Sequence, residues 1–325
     1  MKKLPKERSK ELNMPGQDGL EKIHEPVLLG EVVDALRVKD LAHLKKAHFI
    51  DATLGLGGHS LEICKAGGNV LGIEADEESL EIARKRLMKV CPPTFSSHER
   101  GSFTLVHGNF RDLKEIALKE RFDRVDGILF DLGISSYQLA TKVKGFSFQD
   151  LDAYLDMRFD RISQEVTAQD LLKVLNVGQL IELFRVTMPK GVARALSKRI
   201  VEARKIREIK TVGDFLEIIK PKFRSKPKLN PSTLPFLALR IAVNSELDNL
   251  RQALPQALEL LKAGGRLVVI SFHSGEDGLV KNFFKEFQDS ERGLIITKKP
   301  IFPEKKEIAT NPRARSAKMR ILQKK

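Results

Sequence analysis

Phe49-Ile50-Asp51-Ala52-Thr53-Leu54-Gly55-Leu56-Gly57-Gly58-His59-Ser60 reads as a buried strand that ends in a carboxylate, a glycine turn, and the start of a helix running to Lys65. Glycines at such a turn let the backbone reverse sharply and approach a ligand. The next apolar run, Asn69 to Glu74, is a second strand that also ends in an acid. Its distance from the glycines is about the 20 residues of a nucleotide-binding fold, where a carboxylate takes both hydroxyls of a ribose. Two ligands compete for the turn. A dinucleotide fold wants glycine at the sixth position of GxGxxG so that helix and strand pack closely. Counted from Gly55 that position is Ser60, and the fingerprint fails. An acidic Asp51 would repel a pyrophosphate, but it could pair with the amino group of S-adenosylmethionine. A plain tight turn capped by Asp51 is the third option, and it leaves the coincidence with Glu74 unexplained.

Outward from this stretch the alternation continues. Glu77 to Val90 carries Leu80, Ile82, Ala83 and Leu87 at helical spacing. Phe103 to His107 and Val125 to Leu132 are further strands. Strands alternating with helices imply an α/β fold, a parallel sheet covered on both faces. The pattern stops after Ser135. Helical patterns follow at Ala168 to Leu175, Val177 to Phe184, Gly191 to Arg204 and Val212 to Ile219. Lys220 to Pro235 is a Pro- and Lys-rich connection. Then come a long helix, Phe236 to Ala263, interrupted or bent near Pro255, and a turn at Gly264-Gly265. A buried strand, Arg266 to Ser271, a helix, Glu276 to Phe287, and strands at Leu294 to Lys298 and Ala317 to Leu322 complete the chain. The expected organisation is a flexible basic tail (1–22), a discontinuous α/β domain (23–136 and 236–325) and a helical insert (137–235).

With 325 residues, 42% of them hydrophobic, the chain can bury a full core. No apolar run approaches the roughly 20 residues of a membrane span. The polar start, Met1 to Leu20, lacks the features of a signal or transit peptide. Cys64 and Cys91 form no disulfide or metal pattern, which fits a reducing cytoplasm. The net charge of +14 suggests a polyanionic partner. The basic residues cluster at Lys198 to Lys228 and again from Lys298 to Arg320, which tilts the reading toward nucleic acid. Aromatics are only 6%, so stacking platforms are few.

Two more strand ends carry chemistry. Asp131-Leu-Gly-Ile-Ser135-Ser136-Tyr137-Gln138 leaves a buried strand at the edge where open α/β sheets hold ligands. Asp131 there could face a cofactor or a nucleophile, or merely cap a turn. Ile270-Ser271-Phe272-His273-Ser274-Gly275-Glu276-Asp277 leaves another. His273 could move a proton near neutral pH, or it could fix the loop with Glu276 and Asp277. The remaining histidines show no ligand spacing, and no metal site is expected.

Taken together these stretches resemble the bacterial 16S ribosomal RNA N4-cytosine methyltransferase family of the RsmH or MraW type. The resemblance runs from His24-Glu-Pro-Val-Leu-Leu to Arg313-Ala-Arg-Ser-Ala-Lys. Between these lie Asp51-Ala-Thr-Leu-Gly, Gly57-Gly-His-Ser, Asp131-Leu-Gly-Ile-Ser-Ser, Gly145-Phe-Ser-Phe, Leu155-Asp-Met-Arg, Ala238-Leu-Arg-Ile-Ala-Val-Asn, Gly264-Gly-Arg-Leu and Ile270-Ser-Phe-His-Ser. It implies a class I (Rossmann-like) methyltransferase sheet with a helical insert that recognises RNA. It also implies S-adenosylmethionine as donor, and 16S ribosomal RNA or the small ribosomal subunit as partner. The cofactor positions it implies are Gly57, Gly58, His59, Glu74 (where the family usually has Asp), Phe110, Asp131 and Gln138. Asp131 with Ser135 or Ser136 would accept hydrogen bonds from the target amine. Departures from the pattern occur at Ala140 to Lys144, around Thr187 to Lys190, at Asn230, Leu234 and Leu237, and at Gly275 and Gly278. They are expected to spare the cofactor half and touch the RNA side. They keep open a non-catalytic RNA-binding or ribosome-assembly protein on the same fold. An NAD-dependent reductase is a further alternative, and a DNA amino-methyltransferase is a third that the insert and the whole-chain resemblance disfavour.

Overall fold

The computed structural model describes residues 26–42, 47–91, 101–140, 144–219 and 230–325. The expected tail (1–22) and most of the Lys-rich connection (220–229) lie outside them.

Two short helices, α1 (Leu29–Ala35) and α2 (Val38–Ala42), lead into strand β1 (His48–Asp51). The chain then alternates through α3 (Gly58–Lys65), β2 (Asn69–Glu74), α4 (Glu77–Met88), β3 (Phe103–His107), α5 (Leu113–Lys119) and β4 (Val125–Asp131). A helical segment follows: α6 (Ser136–Ala140), α7 (Ala168–Val174), α8 (Val177–Arg185), α9 (Lys190–Ile206), α10 (Val212–Ile219) and α11 (Thr233–Val243). The return to the sheet runs through α12 (Glu246–Leu260), β5 (Leu261–Ser271), α13 (Ser274–Asp289), β6 (Gly293–Ile295), α14 (Lys305–Thr310) and β7 (Lys318–Lys324).

The strands form one sheet in the order β3-β2-β1-β4-β5-β7-β6. β1 pairs in parallel with both β2 and β4, and β7 is antiparallel to β5 and β6. This is a mostly parallel, Rossmann-like α/β sheet with β7 running antiparallel. Order reverses at β1, so a crevice opens between the carboxyl ends of β1 and β4. Asp51, Glu74 and Asp131 each close a parallel strand, and the parallel register sets all three at that edge. β1 and β2 are buried almost throughout, as strands covered on both faces are.

One apolar core joins the sheet to α5, α12 and α13, and a second covers the other face with α1. A third lies within the helical segment and holds Leu172, Phe184, Leu196, Ile200, Phe215 and Leu239. Phe236, Ala238, Leu239 and Val243 of α11 bury themselves in this third core. By packing, the chain therefore leaves the helical segment at Asn244–Ser245.

Several local expectations are corrected. The helix expected from Phe236 to Ala263 breaks at Asn244–Ser245, where Ser245 is left-handed (φ 50°), while Pro255 sits inside α12. A proline costs a helix one hydrogen bond, and the buried Leu250, Ala253, Leu254, Ala257 and Leu258 around it hold that helix together. Gly264-Gly265 is not a turn between elements. β5 begins at Leu261, and its register to β4 slips between the Val125–Leu261 and Gly127–Arg266 pairs. Gly264 (φ 79°) supplies the left-handed backbone of that irregularity. Cys64 and Cys91 are not independent thiols either. They are joined as a disulfide with Cα atoms 6.5 Å apart. α3 and α4 pack against each other and bury both cysteines, a proximity that a separation of 27 residues does not reveal.

Candidate active site

A cleft with about 1140 Å³ of atom-free space, part of it open to solvent, lies over the carboxyl edge of the sheet. Gly55, Gly58 and His59 form one wall, and Glu74 and Phe110 another. Asp131, Ser135 and Gln138 come from the β4 exit. Of the expected site residues, Gly57 stands behind this lining. It caps α3 with φ 75°, and a Cβ there would press on Ala83 and Leu87 at 3.3 Å. Its glycine is required by the packing of α4. Gly58 faces Pro26, whose ring occupies the place of a Cβ. Asp51 also lies outside the lining. It is 1% exposed, its Oδ2 accepts from Ser60 Oγ at 2.8 Å, and burial pushes its carboxyl up. It braces the turn from behind.

Glu74 holds the floor. Its Oε2 accepts from the N–H of Gly55 at 2.7 Å and its Oε1 from that of Asp76 at 2.9 Å. Burial pushes its carboxyl up to about 7, against the pull of the Asp76 N–H. The β2 acid thus fixes the glycine turn from a neighbouring strand. Across the cleft, the backbone N–H of Asp131 donates to Thr53 Oγ1 at 2.6 Å. His59 is 5% exposed, and its Nε2 lies 3.3 Å from Asp131 Oδ2. Nδ1 of His59 and Oδ1 of Asp131 are buried without a hydrogen-bond partner, while Nε2 of His59 has the Asp131 contact. Buried polar atoms are ordinarily satisfied, and these two unmet atoms belong to residues that line the cleft.

Gln138 is buried and doubly anchored. Its Oε1 accepts from Ser135 N–H at 3.0 Å, and its Nε2 donates to Asp76 Oδ2 at 3.1 Å. Ser135 Oγ accepts from the N–H of Gln138. Ser136 begins α6, and its side chain lies outside the described residues. Phe110 meets Phe130 edge-on at 5.7 Å, leaving a ring face for the cleft.

His273 is resolved as the structural alternative. Its Nδ1 accepts from the N–H groups of Gly275 and Glu276, and Glu276 reciprocates to Phe272 and His273. It caps α13 and is not part of the cleft lining. Lys144, a departure expected on the RNA side, points to the cofactor half. Its ammonium is buried 2.8 Å from Asp76 Oδ1. Residues 141–143 lie outside the described residues. The cleft lining also takes in residues the sequence did not assign to the site: Phe159 and Gln164, Asn244, Glu246 and Asn249, and Phe272 and Arg313. Asn244 is spent on the insert, accepting from the N–H of Phe159 and donating to Met157 O, both at 2.8 Å. Glu246 is spent on a bidentate pair with Arg240.

The sequence model of the MraW methylase family matches residues 21–325. The chain belongs to the MraW methylase family. Its relatives include the ribosomal RNA small subunit methyltransferase H of Dictyoglomus thermophilum, 40% identical over 305 residues, with 93% of this chain and 97% of the relative covered. The protein of the same name from Thermomicrobium roseum is 41% identical over 323 residues, covering 94% of each chain. No helix among the described residues is long and apolar enough to cross a membrane, and no cluster of His, Cys, Asp or Glu among them could hold a metal ion.

Proposed function

We propose that the chain methylates the exocyclic N4 of a cytosine in the decoding region of 16S ribosomal RNA, with S-adenosylmethionine as donor. The observation that carries this reading is the His59–Asp131 pair in the cleft lining, with Nδ1 of one and Oδ1 of the other left unmet beside the glycine turn. The residues fit the donor. Glu74 is placed to accept from ribose hydroxyls, Phe110 to cover an adenine, and Gln138 to bound the base. Gly58 keeps the turn bare. His59 and Asp131 supply the unmet polar atoms for the amino-acid end. When bound, the donor supplies a methyl group on a sulfonium, activated for in-line displacement.

The chain's own part is positioning. A cytosine amine is a poor nucleophile because its lone pair is delocalised into the ring. Desolvating it and accepting its hydrogen bonds as it pyramidalises lowers the barrier. Asp131 is the acceptor best placed for this, at the edge between the two walls, with the Ser135 hydroxyl on the same loop. The RNA substrate is supported by the net charge and by what the relatives' names say they act on.

Calorimetry with adenosylhomocysteine tests the donor site. Transfer of tritium from labelled S-adenosylmethionine to small subunits from cells lacking the gene, followed by mass mapping of the RNA, tests the rest. A methyl on a cytosine N4 is the expected outcome. Heat from NADH and none from adenosylhomocysteine would overturn the reading, and so would donor binding without transfer, the mark of a non-catalytic assembly protein.

A further inference from the structure

The two basic clusters of the sequence have different fates. In the helical segment, where residues 220–229 lie outside the described residues, Lys198 is exposed but several cations are taken up by the chain itself. Arg204 donates to the carbonyls of Leu172 and Leu175. Lys205 pairs with Glu202, Arg207 with Asp214 and Glu217, and Lys210 with Glu208. At the C-terminus the cluster divides. Lys318 and Arg320 both turn inward to Asp277. Lys298, Lys299, Lys305, Lys306, Arg313 and Arg315 stay exposed, and among the described residues none of the six forms an ion pair.

All six lie on one segment, 298–315, between β6 and β7. The segment is not a loose tail. Ile301 bridges to Met319, and Glu307 Oε1 accepts from the N–H of Leu28 at 2.8 Å, which ties α14 to the Pro26–Leu28 strip at the cleft mouth. Of the six, Arg313 alone lines the cleft. Its guanidinium is partly desolvated with no carboxylate to compensate, and burial accordingly lowers its pKa. It lines the cleft together with Phe159 and Phe272.

Resting on the proposed RNA-methylating function, we propose that Arg313 binds a backbone phosphate next to the target nucleotide, and that segment 298–315 guides the acceptor strand into the cleft. The helical segment's paired cations do not perform this role. A guanidinium is suited to it, since its fork matches two phosphate oxygens. The cations upstream on the same segment extend the attraction outward, where each phosphate neutralised releases counterions.

The test measures binding of small subunits lacking the methyl mark, and of a single-stranded oligoribonucleotide, across a salt series. Wild type is compared with Arg313→Ala, Lys305→Ala/Lys306→Ala and, as a control in the helical segment, Lys205→Ala. Each lost phosphate contact should flatten the plot of log affinity against log salt by about 0.7 to 0.9. Arg313→Ala should do so by one such step, raise KM for subunits, and leave adenosylhomocysteine affinity within twofold. Lys205→Ala should leave the slope as it is. An unchanged slope in Arg313→Ala overturns the proposal. So does a loss of adenosylhomocysteine affinity, which would make Arg313 a donor contact. The slope is read from binding alone. A wild-type chain that shows the Arg313 step and transfers no methyl therefore counts against the methylating function, and a chain that methylates without the step counts against this inference.

Discussion

Lys144 and Asp76 form a buried ion pair beside the cleft, 2.8 Å apart, with side chains 4% and 3% exposed. Asp76 also accepts from Gln138 Nε2 and Ser79 Oγ, and its backbone N–H holds Glu74. The carbonyl of Lys144 in turn accepts from Met157 N–H at 2.8 Å. One lysine thus links the helical segment to both the β2 acid and the α6 loop. Removing one partner of a buried pair strands the other charge, at about 3–5 kcal/mol. Lys144→Met should lower stability by that order and weaken adenosylhomocysteine binding. Lys144→Arg, which keeps the charge, should restore most of both. Denaturant unfolding and calorimetry on the two variants check this.

Glu74 gives a stability signature in pH. Burial raises its carboxyl from the ordinary range to about 7. A carboxyl with a raised folded pKa favours folding while protonated. That contribution is complete below the unfolded pKa and is lost as pH rises through about 7. At pH 8 the ionised group costs on the order of 3 kcal/mol. Glu74→Gln should therefore unfold at higher denaturant than wild type at pH 8, with the gap closing by pH 5. The same variant should bind adenosylhomocysteine more weakly, because the amide offers one acceptor oxygen in place of two.

The parallel sheet and the edge bearing Asp51, Glu74 and Asp131 were legible in the sequence because period and glycine placement are local signals. What escaped was tertiary. Asp51 has the same strand-end signature as Asp131, yet it is buried on Ser60 and is not part of the cleft lining. Lys144 reads as one more cation in a polar stretch, and only the approach of the β2–α4 turn makes it a buried partner. Cys64 and Cys91 meet because two helices pack, and no spacing rule anticipates that. Arg204 and Arg313 look alike in sequence. One caps α7 and the other stands unpaired in the cleft wall, a difference set by which carbonyls and carboxylates come near.

Asp131 is expected to act on turnover more than on folding. Its backbone N–H bond to Thr53 survives any side-chain change, its Oδ1 has no hydrogen bond to lose, and an asparagine can keep an atom at the Oδ2 position facing His59. Asp131→Asn keeps the shape and removes the charge that favours the pyramidalising amine. A hydrogen bond to a charged group is worth about 1.5–3 kcal/mol, so single-turnover transfer should slow by roughly tenfold to a hundredfold. Full transfer activity with intact donor binding would remove Asp131 from the chemistry.

His273 tests the opposite expectation. Its Nδ1 caps two N–H groups of α13, and the reciprocal Glu276 is 2% exposed in the field of Arg240. An acceptor at this position is worth about 1 kcal/mol. His273→Ala should cost that much stability. His273→Asn, whose carboxamide oxygen can cap in the same way, should recover most of it. If the imidazole only caps, the pH profile of methyl transfer in His273→Asn will superimpose on that of wild type. A lost ionisation limb in that profile would give His273 a proton-transfer role that its hydrogen bonds do not support.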